Sequence, residues 1–355
     1  MENYVNIYDL LPDEIEEAIK KLKDALEVIK YKKNTSSKVV DKEKEIITCP
    51  HCQSHCCIKN GHDKNGVQTF KCKECNKKFS SCTNTFLSRT KLTYEQLTIF
   101  FECMNDKLSI IKTAAKMHVN KNTVFLLRHK VLDCISEARA KIKLKGKVEA
   151  DETYKSVNLK GTKPNNMPRF SKPRSSKGGS KRGISNHQVC IASAIDEFDN
   201  CFLEIVGTGP ITSEQVIDAF TNKSDDIDCL ITDCKSSYEK FVKKNKLNLE
   251  QVKSGTYVNQ NGYNLANINS LHSELSTFLS DFRGVSTKHL QHYLDWFCFK
   301  KIINYTIDVL KQPLIMMKKA TKYNCNINTN NVYTNTSGID FDIVYSDYNY
   351  LPPTN

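Results

Sequence analysis

Long apolar runs are missing from this sequence. No uninterrupted stretch approaches the roughly 18 apolar residues that a membrane span needs. The first residues, MENYVNIYDLLPDEIEEAIKK, also lack the basic and apolar regions of a signal peptide. We therefore expect no membrane association and no secretion, and we expect a cytoplasmic protein.

Tryptophan is scarce, and acidic residues are fewer than basic ones. The 355 residues contain one Trp, and 40 Asp and Glu stand against 52 Lys and Arg, for a formal charge of +12. Hydrophobic residues still make up 39% of the chain, which is enough for each domain to bury a core. The length predicts two or three domains, and the composition excludes wholesale disorder.

A framework of disulfides is not indicated. The cysteine count of 15 is odd, seven of these residues fall between Cys49 and Cys82, and the others are scattered singly. This distribution favours a reducing compartment and one local metal site.

Two Cys-x2-Cys turns, separated by 19 residues, form the strongest metal signature. Their spacing is typical of a zinc ribbon, in which four thiolates surround one Zn²⁺ ion as a closed structural site. We expect this ribbon within residues 45–82. The predicted zinc ligands are Cys49, Cys52, Cys72 and Cys75.

Acids are absent from residues 161–183, which also contain three Pro and four Gly. Residues 141–186 hold 13 Lys and Arg against three acids, so most of the net charge lies here. A solvated linker would explain such a run. Its position beside a cluster of carboxylates favours a loop, residues 160–186, that grips a polyanion, with nucleic acid as the preferred partner. The DNA-binding candidates in this loop are Lys172, Arg174, Lys181 and Arg182.

Helical periodicity marks residues 1–44 as an N-terminal helical segment and residues 90–140 as a three-helix module. In the module, a short second helix, a tight turn and a longer basic third helix follow the helix-turn-helix plan. An ordinary three-helix bundle remains the alternative. The residues expected to face DNA are Lys121, Asn122, Thr123, Arg128 and His129.

Strand patterns begin near residue 146 and give the order βββαβαβα. This order is that of an RNase H-like domain, which we place at residues 145–310, before a C-terminal tail at 311–355. We expect the Asn-rich part of this tail, from Asn324 to Asn355, to be poorly ordered. The predicted fold class is therefore multidomain, mixed α+β and α/β: a zinc ribbon and a helix-turn-helix, followed by an RNase H-like catalytic domain.

Acidic residues on the first and fourth strands of that domain are the candidate catalytic groups. Strand alternation puts Glu149 and Asp151 on one face and predicts that Glu152 cannot join them. Asp233 ends the strand LITD, where α/β sheets present ligands. Two carboxylates from neighbouring strands that share divalent ions suit in-line phosphoryl transfer with Mg²⁺ or Mn²⁺.

A polar stripe on the helix NSLHSELSTFLSDF supplies the third element. Asn269, His272 and Ser276 recur at helical spacing, and an Asn carbonyl is a neutral oxygen ligand for Mg²⁺. Glu274 is a second acidic candidate, but it points about 140° around the helix from Asn269. Solvent exposure alone would also explain the stripe.

Residues 47–300 resemble bacterial insertion-sequence transposases that carry a zinc ribbon and a DDE-type catalytic domain, in the subgroup with Asn as the third catalytic residue. The resemblance rests on CPHC with KCKECNKKFS, on VEADETY, on LITDCKSSY and on INSLHSELSTFLSDFRGVSTKHLQHYLDWF. It implies that Asp151, Asp233 and Asn269 hold the catalytic metal. Glu149, His272 and Ser276 are accessory candidates.

The chain departs from this family at Ser276, where a Lys is more usual. The resemblance implies that such a Lys grips DNA, and Lys288 or the basic loop is expected to replace it. The function implied is binding of terminal inverted repeats, followed by metal-dependent strand cleavage and strand transfer by at least a homodimer associated with the nucleoid. One alternative is a regulator or decayed transposase that binds DNA without cutting it. Another is a nuclease of the same fold that cuts DNA without joining strands.

Overall fold

The computed structural model describes residues 48–63, 68–140, 142–160, 188–282, 284–306, 313, 316, 317, 320, 323–334 and 337–341. Three predicted features lie outside these residues: the N-terminal helical segment, the basic loop from residue 161 onward with its four DNA-binding candidates, and the end of the C-terminal tail.

The cysteine-rich segment folds into a small antiparallel sheet of three strands, in the order β1-β2-β3. Phe70 and Phe79 stack at 5.6 Å between ring centroids on neighbouring strands. Together with Cys49 and Cys72 they form a separate small core. The strands are β1 (Cys57–His62), β2 (Gln68–Cys72) and β3 (Lys78–Ser80).

Three helices follow, and side chains cap the starts of the first two. Thr93 and Gln96 form a capping box at the start of the first helix, and the Ser109 side chain caps the second. The second helix ends at His118 in the left-handed region, with φ 54°. The helices are α1 (Tyr94–Asn105), α2 (Ile110–Met117) and α3 (Lys121–Arg139).

A five-stranded mixed sheet organises the rest of the described chain, in the order β6-β5-β4-β7-β8. The central strand β4 pairs antiparallel with β5 and parallel with β7. The predicted order βββαβαβα is confirmed. The strands are β4 (Lys145–Ser156), β5 (Gln188–Asp196), β6 (Cys201–Thr208), β7 (Asp226–Asp233) and β8 (Asn248–Val252), and the helices are α4 (Ser213–Phe220), α5 (Glu239–Asn245), α6 (Ala266–Ser280) and α7 (Leu290–Thr306).

Each face of the sheet buries its own core because side chains alternate along each strand. On one face Ala150 and Phe202 pack with Phe220 of α4 and Phe241 of α5. The other face packs against α6 and α7, and the same core extends into α1, α2 and α3. The three-helix module is therefore joined to the sheet by continuous apolar packing.

The tail departs from the sequence expectation. Residues 323–334 are ordered against α3: the Asn324 amide donates to Glu137 Oε2 at 2.8 Å, and the Asn326 amide donates to Asp133 Oδ2 at 2.6 Å. Ile327 and Val332 are buried. The prediction of disorder was wrong for this part, because its polar backbone is satisfied by carboxylates on α3 that a local pattern cannot reveal.

Within the described residues, no helix has the length and apolar character to cross a membrane.

Candidate active site and metal centre

The central strand β4 carries the first candidate acids. Its register sets Asp151 opposite Ser193 of β5 and sets Ala150 beside Thr232 of β7, one residue before Asp233. Asp233 is the last residue of β7, as predicted. Parallel pairing of β4 and β7 therefore brings Asp151 and Asp233 to the same edge of the sheet.

One ammonium group joins these two acids. Lys235 Nζ lies 3.4 Å from Asp151 Oδ1 and 3.1 Å from Asp233 Oδ2, and it also contacts Glu152 Oε2. Burial opposes the charge on Lys235, but the hydrogen bond and ion pair with Glu152 and the charge of Asp151 outweigh burial and raise the pKa of this lysine. The site thus already holds one positive charge among three carboxylates.

The sequence predicted that Glu152 would not join Glu149 and Asp151, but Lys235 links the Glu152 carboxylate to that of Asp151. Alternation along β4 does turn its side chain away from the face of Asp151, and that side chain is fully buried. Lys235, which follows the end of β7, nevertheless contacts both acids. Sequence reasoning missed Glu152 and Lys235 because their contact depends on where the chain turns after β7.

Glu149 has a different position from the one expected of an accessory metal ligand. Its Oε2 accepts the Ile268 amide at 2.9 Å, and its Oε1 accepts the Asn267 side-chain amide at 2.8 Å. Both donors lie in the first turn of α6, so the carboxylate caps that helix and complements its dipole. Burial raises the pKa of Glu149, and these two donors offset part of the rise.

His272 connects α6 to the strand that carries Asp151. Ser193 Oγ donates to the Asp151 backbone carbonyl at 2.6 Å and lies 2.6 Å from His272 Nε2, so a proton on Nε2 satisfies both contacts. Burial lowers the pKa of His272. The neutral imidazole therefore holds α6 against the sheet beside Asp151.

Ser276, one turn further along α6, lies between the helix and the end of β4. Its hydroxyl donates to the His272 carbonyl at 2.9 Å and accepts from Lys155 Nζ at 2.7 Å. Lys155 was not singled out in the sequence.

Asn269 is exposed on α6, one turn before His272 and on the same side of the helix. Within the described chain, no hydrogen bond joins the Asn269 amide to Asp151 or Asp233.

Glu274, the second acidic candidate on α6, forms an ion pair with Lys301 of α7 at 3.0 Å. Lys288 lies in a short 3-10 turn that Asn158 ties to the end of β4, and burial lowers its pKa.

The oxygen donors at this edge suit a hard divalent cation. Carboxylates are the groups by which proteins hold Mg²⁺. The carboxylates of Asp151 and Asp233 both contact the Lys235 ammonium, which shows that they are close enough to bind one cation together. The donor set therefore fits Mg²⁺ or Mn²⁺.

The four predicted zinc ligands lie together in the small sheet. Their Sγ atoms are all within 4.8 Å of one another, with Cys49 and Cys75 3.6 Å apart and Cys52 and Cys72 3.5 Å apart. Thiolates around a tetrahedral Zn²⁺ ion at about 2.3 Å would be roughly 3.8 Å apart. The backbone amides of Cys75 and Glu74 lower the pKa of Cys72, whereas the pKa of the neighbouring Cys52 is raised. The arrangement is compatible with a structural zinc site.

The residues expected to face DNA divide into two groups. Lys121, Asn122 and Thr123 are exposed at the start of α3. Arg128 and His129 are buried, and the prediction that they face DNA was wrong. Arg128 donates to the Leu108 carbonyl at 2.7 Å, and its guanidinium lies 5.6 Å from the centre of the Trp296 ring. The side of α3 that carries these two residues packs against α7.

Residues 143–301, which contain the sheet and its acids, match the ISXO2-like transposase domain. The chain carries a domain of this transposase family. The domain includes Asp151, Asp233, Lys235 and the whole of α6. It ends within α7, and the three-helix module precedes it.

Solved structures similar to this chain include the Mos1 strand transfer complex, with 12% sequence identity over 62% of this chain and 74% of that chain and a TM-score of 0.28. The mariner Mos1 paired end complex with Mg has 15% identity over 62% of this chain and 77% of that chain, with a TM-score of 0.27. A comparison with curated proteins found no match.

Proposed function

We propose that this chain is the transposase of an insertion sequence, and that it cleaves the ends of the element and joins them to target DNA. The proposal rests on two carboxylates, those of Asp151 and Asp233, which lie on adjacent strands of a transposase-family domain. Both carboxylates contact the same ammonium group, that of Lys235.

In this proposal Asp151 and Asp233 hold Mg²⁺, with Asn269 as the third ligand from α6. With two such ions bound, one would activate the attacking oxygen and the other would stabilise the leaving oxygen of an in-line displacement. Ser193 and His272 keep α6 beside Asp151, and Glu149 holds the first turn of that helix. The chain itself therefore orients the ligands before DNA arrives.

The same site serves two reactions with different nucleophiles. Water would attack first and expose a 3′ hydroxyl at each element end, and this hydroxyl would then attack target DNA. Because two ends are brought together, we infer at least a homodimer in the DNA complex.

Recognition of the terminal inverted repeats falls to the N-terminal parts in this proposal. The zinc ribbon (residues 45–82) and the helical module (residues 90–140) precede the catalytic domain (residues 145–310). The exposed residues at the start of α3, Lys121, Asn122 and Thr123, would contact DNA. The basic residues that follow β4 in the sequence (residues 160–186) would add phosphate contacts.

The test is a cleavage assay with the purified full chain, Mg²⁺ or Mn²⁺, and a duplex that contains the terminal repeat bordering the gene. We expect nicking at the element end and joining to a target plasmid. Asp151→Asn and Asp233→Asn are expected to lose about a thousandfold in rate, because the metal contributes several kcal/mol to the transition state. Both variants should still bind the duplex.

Asp228→Asn is the matched control, because Asp228 is exposed on the same strand as Asp233 but lies nearer its other end. This variant should cut at the parental rate. Binding without nicking, with Asp151→Asn indistinguishable from the parent, would instead support a regulator that no longer cuts DNA.

A further inference from the structure

Lys155 is a charged residue on the same strand face as Asp151, four positions further along β4. Helix α6 lies along this face: its first turn contacts Glu149, and Ser276 in its third turn contacts Lys155. Asp151 falls between these two contacts. Lys155 therefore lies at the far end of the stretch of β4 that α6 contacts, beyond Asp151.

The ammonium of Lys155 has no acidic partner in the part of the chain that the structure describes. Its described hydrogen bond is to Ser276 Oγ, at 2.7 Å, which uses one of three N–H donors. Lys235 and Lys301, by contrast, form ion pairs with Asp233 and Glu274, respectively. Lys155 is half-buried, and burial lowers its pKa. A partly buried ammonium without a counter-charge is costly until an anion binds it.

Ser276 fixes the direction of this ammonium. Its hydroxyl proton is donated to the His272 carbonyl, so the oxygen presents a lone pair to Lys155. Ser276 lies on the helix that also carries Asn269 and His272. The cation is thus held by the same helix that borders the acids.

We propose that Lys155, oriented by Ser276, binds a backbone phosphate of the same DNA strand that is cut at Asp151 and Asp233. This inference rests on the proposed function and adds a sequence-independent phosphate subsite to it. Asp151 and Lys155 are about 13 Å apart along the strand, so the bound phosphate belongs to a nucleotide a few positions from the cleaved bond. Lys155 would contact the substrate, and Ser276 is a positioning residue that acts through it.

The experiment measures the affinity for a terminal-repeat duplex as a function of salt concentration, with Ca²⁺ as the divalent ion. Lys155→Met keeps the length of the side chain and removes the charge. We expect affinity to fall several-fold and the slope of log affinity against log salt to decrease by about 0.9, because one phosphate contact is lost. Lys155→Arg should keep both values near those of the parent.

Lys244→Met is the matched control, because Lys244 is exposed on α5, on the opposite face of the sheet. It should leave affinity and slope unchanged. Ser276→Ala should lose part of the affinity, and the double variant Lys155→Met with Ser276→Ala should bind no worse than Lys155→Met alone. In cleavage assays Lys155→Met should raise KM with little change in kcat, since the contact is made equally before and during the reaction.

A parental slope and affinity in Lys155→Met would overturn the phosphate subsite. If Asp151→Asn still abolished cleavage in the same experiments, the proposed function would stand without the subsite. A parent protein that does not bind the duplex at all would overturn both.

Discussion

Lys235 Nζ lies 3.1 Å from the Asp233 carboxylate, only two residues away along the chain, and the same ammonium reaches Asp151 on the neighbouring strand. The positive charge occupies the place between two acids that we propose for a metal. It also contacts Glu152, whose side chain is fully buried. Lys235 therefore keeps the acids together when no metal compensates them.

Replacing Lys235 by Met should lower the free energy of unfolding by about 2–3 kcal/mol, because the buried Glu152 carboxylate loses its partner. In the presence of Mg²⁺, the free energies of unfolding of Lys235→Met and the parent should differ less, since the ion neutralises Asp151 and Asp233. Urea unfolding with and without Mg²⁺ measures this. The control Lys240→Met removes an exposed ion pair with Glu214 and should cost less than about 1 kcal/mol. Equal stability of Lys235→Met and the parent would refute the role of Lys235.

Glu149→Gln tests whether this acid caps a helix or binds the metal. The cap to Ile268 and Asn267 predicts a loss of about 1 kcal/mol in the free energy of unfolding, with unchanged affinity for Mn²⁺. Denaturant unfolding and Mn²⁺ titration followed by electron paramagnetic resonance give the two quantities. A tenfold loss of Mn²⁺ affinity at parental stability would make Glu149 a metal ligand.

Arg128 and Lys121 lie on the same helix and should behave in opposite ways. Arg128→Met removes a buried hydrogen bond to Leu108 and should cost about 2 kcal/mol of stability, while the folded protein keeps its affinity for DNA. Lys121→Met should leave stability nearly unchanged and weaken DNA binding several-fold. Thermal unfolding and fluorescence anisotropy compare the two variants. The reverse outcome would place Arg128 at the DNA surface.

Three buried histidines predict a loss of stability in acid. Burial lowers the pKa of His129 to about 2 and those of His289 and His292 to about 4, from a usual value of 6.5. Below pH 6.5 the unfolded chain takes up protons and the folded chain does not, so stability decreases as the pH falls towards 4. The three histidines together should contribute at most about 4 kcal/mol per pH unit to the slope, and the raised pKa values of buried acids such as Asp295 oppose this contribution.

Urea unfolding at a series of pH values checks this prediction. His292→Gln should reduce the histidine contribution to the slope by about a third, because one titrating group is removed. His118→Asn is the control, since His118 is exposed and Asn tolerates its left-handed backbone. A slope that does not change in His292→Gln would show that other groups control the acid transition.

Zinc should be required for the folding of the small N-terminal sheet but not for the folding of the transposase domain. Cys52→Ser removes one of the four clustered thiols and should abolish the bound zinc and the folded signals of β1, β2 and β3. Cys56→Ser, at an exposed cysteine outside the cluster, should keep one zinc per chain. Elemental analysis and amide hydrogen exchange provide the measurements. Zinc retained at full stoichiometry in Cys52→Ser would contradict the site.

Local signals in the sequence predicted much of this fold. Periodicity predicted three helices within residues 90–140 and the order βββαβαβα after residue 146, and the structure has both. These features depend on hydrogen bonds and periodicity within a few residues, so a single sequence reveals them.

Features that depend on distant contacts could not be read from the sequence in this way. Arg128 is on the basic helix expected to read DNA, but α7 covers it from more than 160 positions away. Nothing in the local sequence distinguishes Lys235 and Lys155 from the other lysines of this basic chain. In the folded protein Lys235 contacts Asp151, and Lys155 contacts Ser276 on α6. Periodicity shows which side of an element is apolar and does not show which element packs against a charge.

The most direct test of a metal-dependent cleavage site at Asp151 and Asp233 is anomalous diffraction from crystals of the full chain grown with Mn²⁺ and a terminal-repeat duplex. The account predicts a manganese peak between the two carboxylates, beside a backbone phosphate, with the Lys235 ammonium displaced from at least one of them. Manganese absent from this position, with Lys235 still in contact with both acids in the DNA complex, would contradict it.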